Sequence, residues 1–139
     1  MGGIFDKLNL KNQQEILVLH APESFQPELA RLPVLTIHHH IESVSQIGFF
    51  LAFVTRKAEV DALAGPVAAH ALGDATVWFA YPKGTSKKYK CDFNRDTGWD
   101  ALNAAGFDTV RAVAIDEDWT ALRFRRKEYI KARSKRSKS

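Results

Sequence analysis

Between Lys83 and Phe93 the chain carries Lys83, Lys87, Lys88 and Lys90 together with the hydroxyls of Thr85 and Ser86. Directly before them, Trp78-Phe79-Ala80-Tyr81 has the unbroken apolar character of a buried strand. Ammonium groups and hydroxyls at such a strand's carboxyl end are the chemistry of anion capture, because ligands of doubly wound sheets sit outside the carboxyl ends of strands. A helix predicted to start near Arg95, with Asn94 as its N-cap, adds free amides that attract anions. The candidate ligand-binding residues are therefore Lys83, Thr85, Ser86, Arg95 and Trp99, and the ligand class is a phosphate, a carboxylate or a nucleotide. Arg95, Asp96 and Trp99, with Asp116, Trp119 and Arg123, form a second constellation that supplies both charge signs and an aromatic wall. The competing readings are a solvated loop, core or rim packing for Trp99 and Trp119, and a turn-forming role for Asp116.

Other chemistries are poorly supported. Lys83-Gly84-Thr85-Ser86 holds one glycine and places its lysine first, whereas a phosphate-binding P-loop needs two glycines before Lys-Ser/Thr. His38-His39-His40 offers imidazoles, yet on a strand His38 and His40 share one face while His39 points away, so a metal site is not expected. Cys91 lies near Lys88 and Lys90, which would lower its pKa, but no base or oxyanion site accompanies it. Neither a G-x-S-x-G elbow nor a C-x-x-C pair occurs. No catalytic centre and no cofactor are predicted, and enzymatic activity stays open.

These groups need a scaffold. Glu15 to Ala21 is an apolar run ended by Pro22, as expected of a buried strand; Phe25, Leu29 and Leu32 then recur at helical spacing up to Pro33. Val34 to Ile41 alternates like a second strand, and Gly48 to Val54 is apolar on both faces, which marks a central strand. From Lys57, Val60, Leu63, Val67, Ala71 and Leu72 outline a helix that Gly65-Pro66 kinks or divides. A strand over Ala75–Tyr81 follows. The helix of Trp99, Leu102 and Ala105 is closed by Gly106. A strand through Val110, Ala112 and Ala114, an acidic turn at Asp116-Glu117-Asp118 and a returning strand from Trp119 to Lys127 complete the chain. The order βαββαβαββ predicts an α/β fold: a three-layer α/β/α Rossmann-like sandwich whose mostly parallel sheet ends in a C-terminal antiparallel hairpin.

The 139 residues suit one domain, expected over residues 15–126 after an N-terminal extension of residues 1–14. Nine lysines and arginines against Glu128 give residues 123–139 a net charge of +8 within a total of +4, so the body is mildly acidic. Residues 127–139 read as a basic disordered tail, able to attract nucleic acid nonspecifically or simply to solubilise. The single cysteine, the lack of a basic-then-apolar leader and an apolar run too short for a bilayer point to a cytoplasmic protein without membrane contact.

Two resemblances extend this reading. The strand, helix, strand, loop and helix ending in Ala104-Ala105-Gly106-Phe107, with a hairpin ending in Leu122-Arg123-Phe124, is similar to the C-terminal half of class I methyltransferases. The phrases LVLHAPESF, VWFAYPKGTS, NRDTGW and VAIDEDWTALRF together resemble a family of short bacterial proteins with a domain of unknown function, over roughly residues 15–126. The second resemblance implies a Rossmann-like fold and no particular activity. Methyltransferases bind their cofactor with a glycine-rich turn after the first strand, whereas this strand runs into His20-Ala21-Pro22-Glu23-Ser24. Pro22 lacks an amide donor and Glu23 opposes an anion. The expected function is thus non-catalytic binding of an anionic small molecule or a protein partner at the carboxyl edge of the sheet. The alternatives are nucleic-acid association through the tail and a degenerate S-adenosylmethionine-binding methyltransferase relative.

Overall fold

A computed structural model describes residues 4–11, 13–32, 35–43, 45–93 and 98–130. Its elements are α1 (Ile4–Lys7), β1 (Glu15–Leu19), α2 (Gln26–Ala30), β2 (Thr36–His38), β3 (Ile47–Phe53), α3 (Lys57–His70), β4 (Ala71–Pro82), α4 (Asp100–Ala104), β5 (Phe107–Ala114) and β6 (Trp119–Arg126), with 3₁₀ turns at Glu23–Phe25 and Ile41–Ser43. Apart from α1, the order is the one expected. The six strands form one sheet in the order β2-β1-β3-β4-β6-β5. β2, β1, β3 and β4 run parallel, and β6 is antiparallel to both β4 and β5. The terminal hairpin therefore folds back into the sheet: β6 takes the place beside β4, and β5 becomes the edge.

Alternation along the strands builds two cores. One face buries Phe50, Val77, Phe79, Leu122 and Phe124 with Val60, Ala64 and Val67 of α3 and Leu102 of α4. The other buries Val18, Phe49, Leu51, Trp78 and Ala121 with Phe25, Leu29 and the N-terminal Ile4, Phe5 and Leu8. Helices cover both faces of a mostly parallel sheet, which is a Rossmann-like α/β sandwich.

Several boundaries differ from expectation. The N-terminal segment packs into the second core instead of trailing outside it. α1 ends in a left-handed Asn9 (φ 68°), with Leu10 N–H donating to the Phe5 carbonyl and Asn9 N–H to Asp6, the closure that satisfies orphan carbonyls at helix ends. The indole Nε1 of Trp78 donates to the Leu8 carbonyl at 2.7 Å, and Arg111 donates to that of Lys7 at 2.9 Å. β2 spans only Thr36–His38, much less than Val34–Ile41, because Ile41 already enters a 3₁₀ turn; Val34 lies outside the described residues. α3 continues through Pro66 without division. The lost hydrogen bond there is offset by packing of Val60, Ala64 and Val67 against the sheet. Ala71 and Leu72, expected in the helix, open β4: Ala71 is extended and pairs with Ile47. Lys127–Ile130 forms a helical turn, and residues 131–139 lie outside the described residues.

Candidate functional site

The loop after β4 is built by hydrogen bonds to the β5–β6 turn. Lys83 N–H donates to the Asp118 carbonyl at 2.8 Å, and Ser86 N–H returns to the Lys83 carbonyl at 3.0 Å, closing Lys83-Gly84-Thr85-Ser86 as a tight turn. The Ser86 hydroxyl donates to Asp118 Oδ1 at 2.8 Å and accepts from the backbone of Tyr89 at 3.1 Å. Asp116 Oδ1 accepts from the amides of Asp118 and Trp119, so it forms the turn, as its competing reading held. Farther along, the Tyr89 ring packs on Trp119 with centroids 4.8 Å apart. Asp92 Oδ1 accepts from Lys57 N–H at 2.7 Å at the start of α3. A run of lysines that reads as a solvated loop is therefore held at both ends.

Between this loop and the start of β6 lies a cleft of about 600 Å³ lined by Tyr81, Lys83, Ser86, Tyr89, Lys90, Cys91, Phe93 and Thr120, among others. Its size falls within the range of small-molecule sites. Lys83 and Lys90 supply positive charge at the walls, while Tyr81 and Phe93, with ring centroids 5.9 Å apart, form an apolar floor.

Of the five residues singled out in the sequence, Lys83 and Ser86 line the cleft. Thr85 is exposed within the same turn. Trp99 is 4% exposed and sits behind the wall, its ring against Phe93, Phe124, Tyr81 and Phe79. Its large apolar surface is core rather than lining, so it acts on the cleft through Phe93 and Tyr81. Arg95, Asp96 and the proposed Asn94 cap lie outside the described residues. The helix expected near Arg95 begins at Asp100 and spans five residues, too short to provide the anion-attracting terminus. Tyr81, Tyr89, Phe93 and Asp118 escaped the sequence reading. Their signal was the acidic turn and the aromatics flanking the lysines, which only the β4–β6 pairing makes neighbours.

The lysines beside Cys91 do not lower its pKa. Burial pushes the thiol above its ordinary value, and Asp92 and Glu59 add in the same direction, against a hydrogen bond to the Phe93 backbone. The folded chain holds the thiol proton more tightly than the unfolded chain. This contribution to stability is full below the ordinary thiol pKa and is lost as pH rises through it toward the folded value. Iodoacetamide alkylation of the native protein is accordingly expected to rise with pH along a curve displaced above that of the urea-unfolded chain; coincident curves would contradict the burial account.

The histidines at the other side of the sheet are committed locally. His38 Nε2 lies 2.8 Å from Glu15 Oε1, and His39 Nδ1 lies 3.3 Å from the Val18 carbonyl. β2 ends at His38, so the alternation expected to align His38 with His40 does not extend that far. Among the described residues no three His, Cys, Asp or Glu side chains are grouped to hold a metal.

The sheet order reverses between β1 and β3, the point where doubly wound folds commonly bind ligands. Here the chain leaving β1 passes through His20, a non-glycine residue at φ 59°, and then turns down onto the sheet. Phe25 packs at a tilt against Phe53 at the end of β3 with centroids 4.9 Å apart. The cleft lies two strands away, at β4 and β6, ~10 Å across the sheet. His20→Gly should be neutral or stabilising by about 0.5–1 kcal/mol, since left-handed backbone costs a side-chain-bearing residue about that much net of glycine's greater unfolded freedom. Chemical denaturation measures it; a clear loss would mean that the imidazole makes a stabilising contact.

No family model and no curated protein sequence matches the chain. Solved structures do match its fold. A SAM-dependent methyltransferase from Aquifex aeolicus superposes with a TM-score of 0.60 at 10% identity, covering 88% of this chain and 87% of its own. The fibrillarin pre-rRNA processing protein of Methanococcus jannaschii gives 0.54 at 11% identity, over 84% of this chain and 67% of its own. The likeness takes in nearly the whole of this chain and most of the Aquifex one, whereas the sequence suggested a likeness to the C-terminal half of a methyltransferase. At these identities it establishes the fold, a Rossmann-like methyltransferase fold ending in antiparallel strands, and nothing about chemistry.

Proposed function

We propose that this methyltransferase-fold protein binds an anionic small molecule in the cleft between the β4–α4 loop and β6, without transferring a methyl group. The observation that supports this reading is the pairing of Lys83 and Lys90 with an aromatic floor in a cleft at the carboxyl edge of the sheet. The absence of glycine in His20-Ala21-Pro22-Glu23-Ser24 argues against a dinucleotide-like grip at the first strand. Cytoplasmic residence and membership of the short bacterial family resembled by its four sequence phrases belong to the same proposal. So does a tail that adds weak nucleic-acid affinity.

Amide chemical-shift titration against inorganic phosphate, a mononucleotide, a sugar phosphate, S-adenosylmethionine and a short DNA duplex tests the proposal. Saturable shifts are expected around Tyr81–Phe93 and Thr120 for one of the small anions. Lys83→Glu with Lys90→Glu should weaken that binding by about 10- to 100-fold, the effect of reversing two charges at a partly solvated anion. Shifts confined to residues beyond 126, with DNA alone, would replace the cleft by the tail.

A second reading, a degenerate relative that still holds S-adenosylmethionine, draws on the structural neighbours and on the left-handed backbone of His20 just after β1. It requires saturable amide shifts at His20, Ala21 and Glu23 and thermal stabilisation by millimolar cofactor. Neither response would end it.

A further inference from the structure

The sheet ends on one side in β2, three residues long, and on the other in β5, eight residues long. Among the described residues no strand lies beside one row of β5 backbone N–H and C=O groups, a template for another chain. Residues 108–112 are all exposed, and Val110, at 40%, is the exposed large hydrophobic residue among the described ones.

A β-bulge sets what such an edge can pair with. Thr109 lies opposite Phe124 and Arg111 opposite Arg123, so Val110 is the additional residue. Residues three apart in a regular strand face opposite ways. Across this bulge Asp108, opposite Arg125, and Arg111, opposite Arg123, share the face of Trp78. Phe107 and Ala112, opposite Arg126 and Leu122, share the other.

We propose that β5 pairs with a second copy of itself, antiparallel about a two-fold axis between Thr109 and Val110, so that Asp108 meets the partner's Arg111 and Arg111 meets the partner's Asp108. Directly opposed residues of an antiparallel pair share a face, and this register matches faces at Asp108 with the partner's Arg111 and at Phe107 with the partner's Ala112. Moving the register by one residue opposes Asp108 to the partner's Ala112, which points the other way, and moving it by two matches faces but opposes Asp108 to the partner's Val113, so the charge match favours the register between Thr109 and Val110. In the monomer the Arg111 guanidinium is turned inward, 5.7 Å from the Trp78 ring and with Nη2 donating to the Lys7 carbonyl, so it swings outward to reach the partner's carboxylate and weakens the pair by what it gives up. The paired run is short and its ion pairs are solvated, so the dimer is weak, with a Kd on the order of 100 μM. The proposal makes no use of the cleft.

Sedimentation equilibrium of the full chain should show the average mass rising toward twice the monomer across that concentration range. Asp108→Arg should weaken association at least tenfold, as should Arg111→Asp, and the double swap should restore it, since each copy then meets the inverted pair. Because Arg111→Asp also removes the bond to Lys7, hydrogen exchange of the unaltered chain gives an independent reading: amides of residues 108–112 should become more protected as concentration rises. A chain that stays monomeric with β5 exchange indifferent to concentration overturns the proposal. Association that survives both single substitutions also overturns it, as does a swap that folds but fails to restore pairing.

Discussion

Trp78→Ala should leave the chain largely unfolded at 37 °C. Trp78 is fully buried, and truncating such a residue costs about 3–5 kcal/mol for lost transfer energy and the cavity. The same change orphans the Leu8 carbonyl that the indole caps at 2.7 Å, worth a further ~1–3 kcal/mol. Against a total stability of about 5–15 kcal/mol, little remains. Trp78→Phe separates the two terms. It keeps most of the ring volume and loses the hydrogen bond, so it should cost only about 1–3 kcal/mol. It should also release α1 first, seen as faster hydrogen exchange at Leu8–Leu10 and proteolysis there before global unfolding. Equal acceleration of exchange in α1 and in β3 would show that the N-terminal segment does not open separately.

Gly98→Ala is expected to cost about 3–4 kcal/mol and to deform the cleft. Gly98 has φ +90°, and a Cβ placed on it would stand 2.7 Å from Phe93 Cβ and 2.8 Å from Phe93 Cγ. A left-handed backbone alone penalises an L-residue by about 1–2 kcal/mol. The steric term adds to it, because a Cβ cannot rotate away and Phe93 is locked between Tyr81 and Trp99. Relief requires the Phe93 backbone to move, and Phe93 lines the cleft. Urea unfolding followed by tryptophan fluorescence measures the loss, and Trp99 reports the displacement directly. A cost below 1 kcal/mol would mean that the segment entering α4 relaxes easily. Anion binding in the cleft should then also be insensitive to the substitution.

The two variants mark how far local pattern reaches. The unbroken apolar runs at Val77–Tyr81 and Gly48–Val54 identify β4 and β3, because burial on both faces of a strand is written in consecutive residues. Gly106 after Ala105 announces the end of α4, where it takes φ +102°. The α/β class, the run of strands and helices, and the lysine turn after β4 follow from such local signals.

What the chain alone left open depends on partners distant in sequence. The Ile4, Phe5 and Leu8 triplet is too brief to declare a helix, and becomes one only when Trp78, about seventy positions on, accepts it. Which arm of the terminal hairpin meets the sheet is decided only by pairing: β6 inserts between β4 and β5 and leaves β5 as the edge. That same pairing brings Asp118 beneath Ser86 and Trp119 beside Tyr89, and so turns a stretch that reads as solvated lysines into one wall of a cleft. Residue types and spacing determined which chemistry the loop after β4 offers, basic groups and hydroxyls. Tertiary structure decided which groups share a cavity and which, like Trp99, are spent on the core, since burial is settled by contacts that no short window of sequence contains.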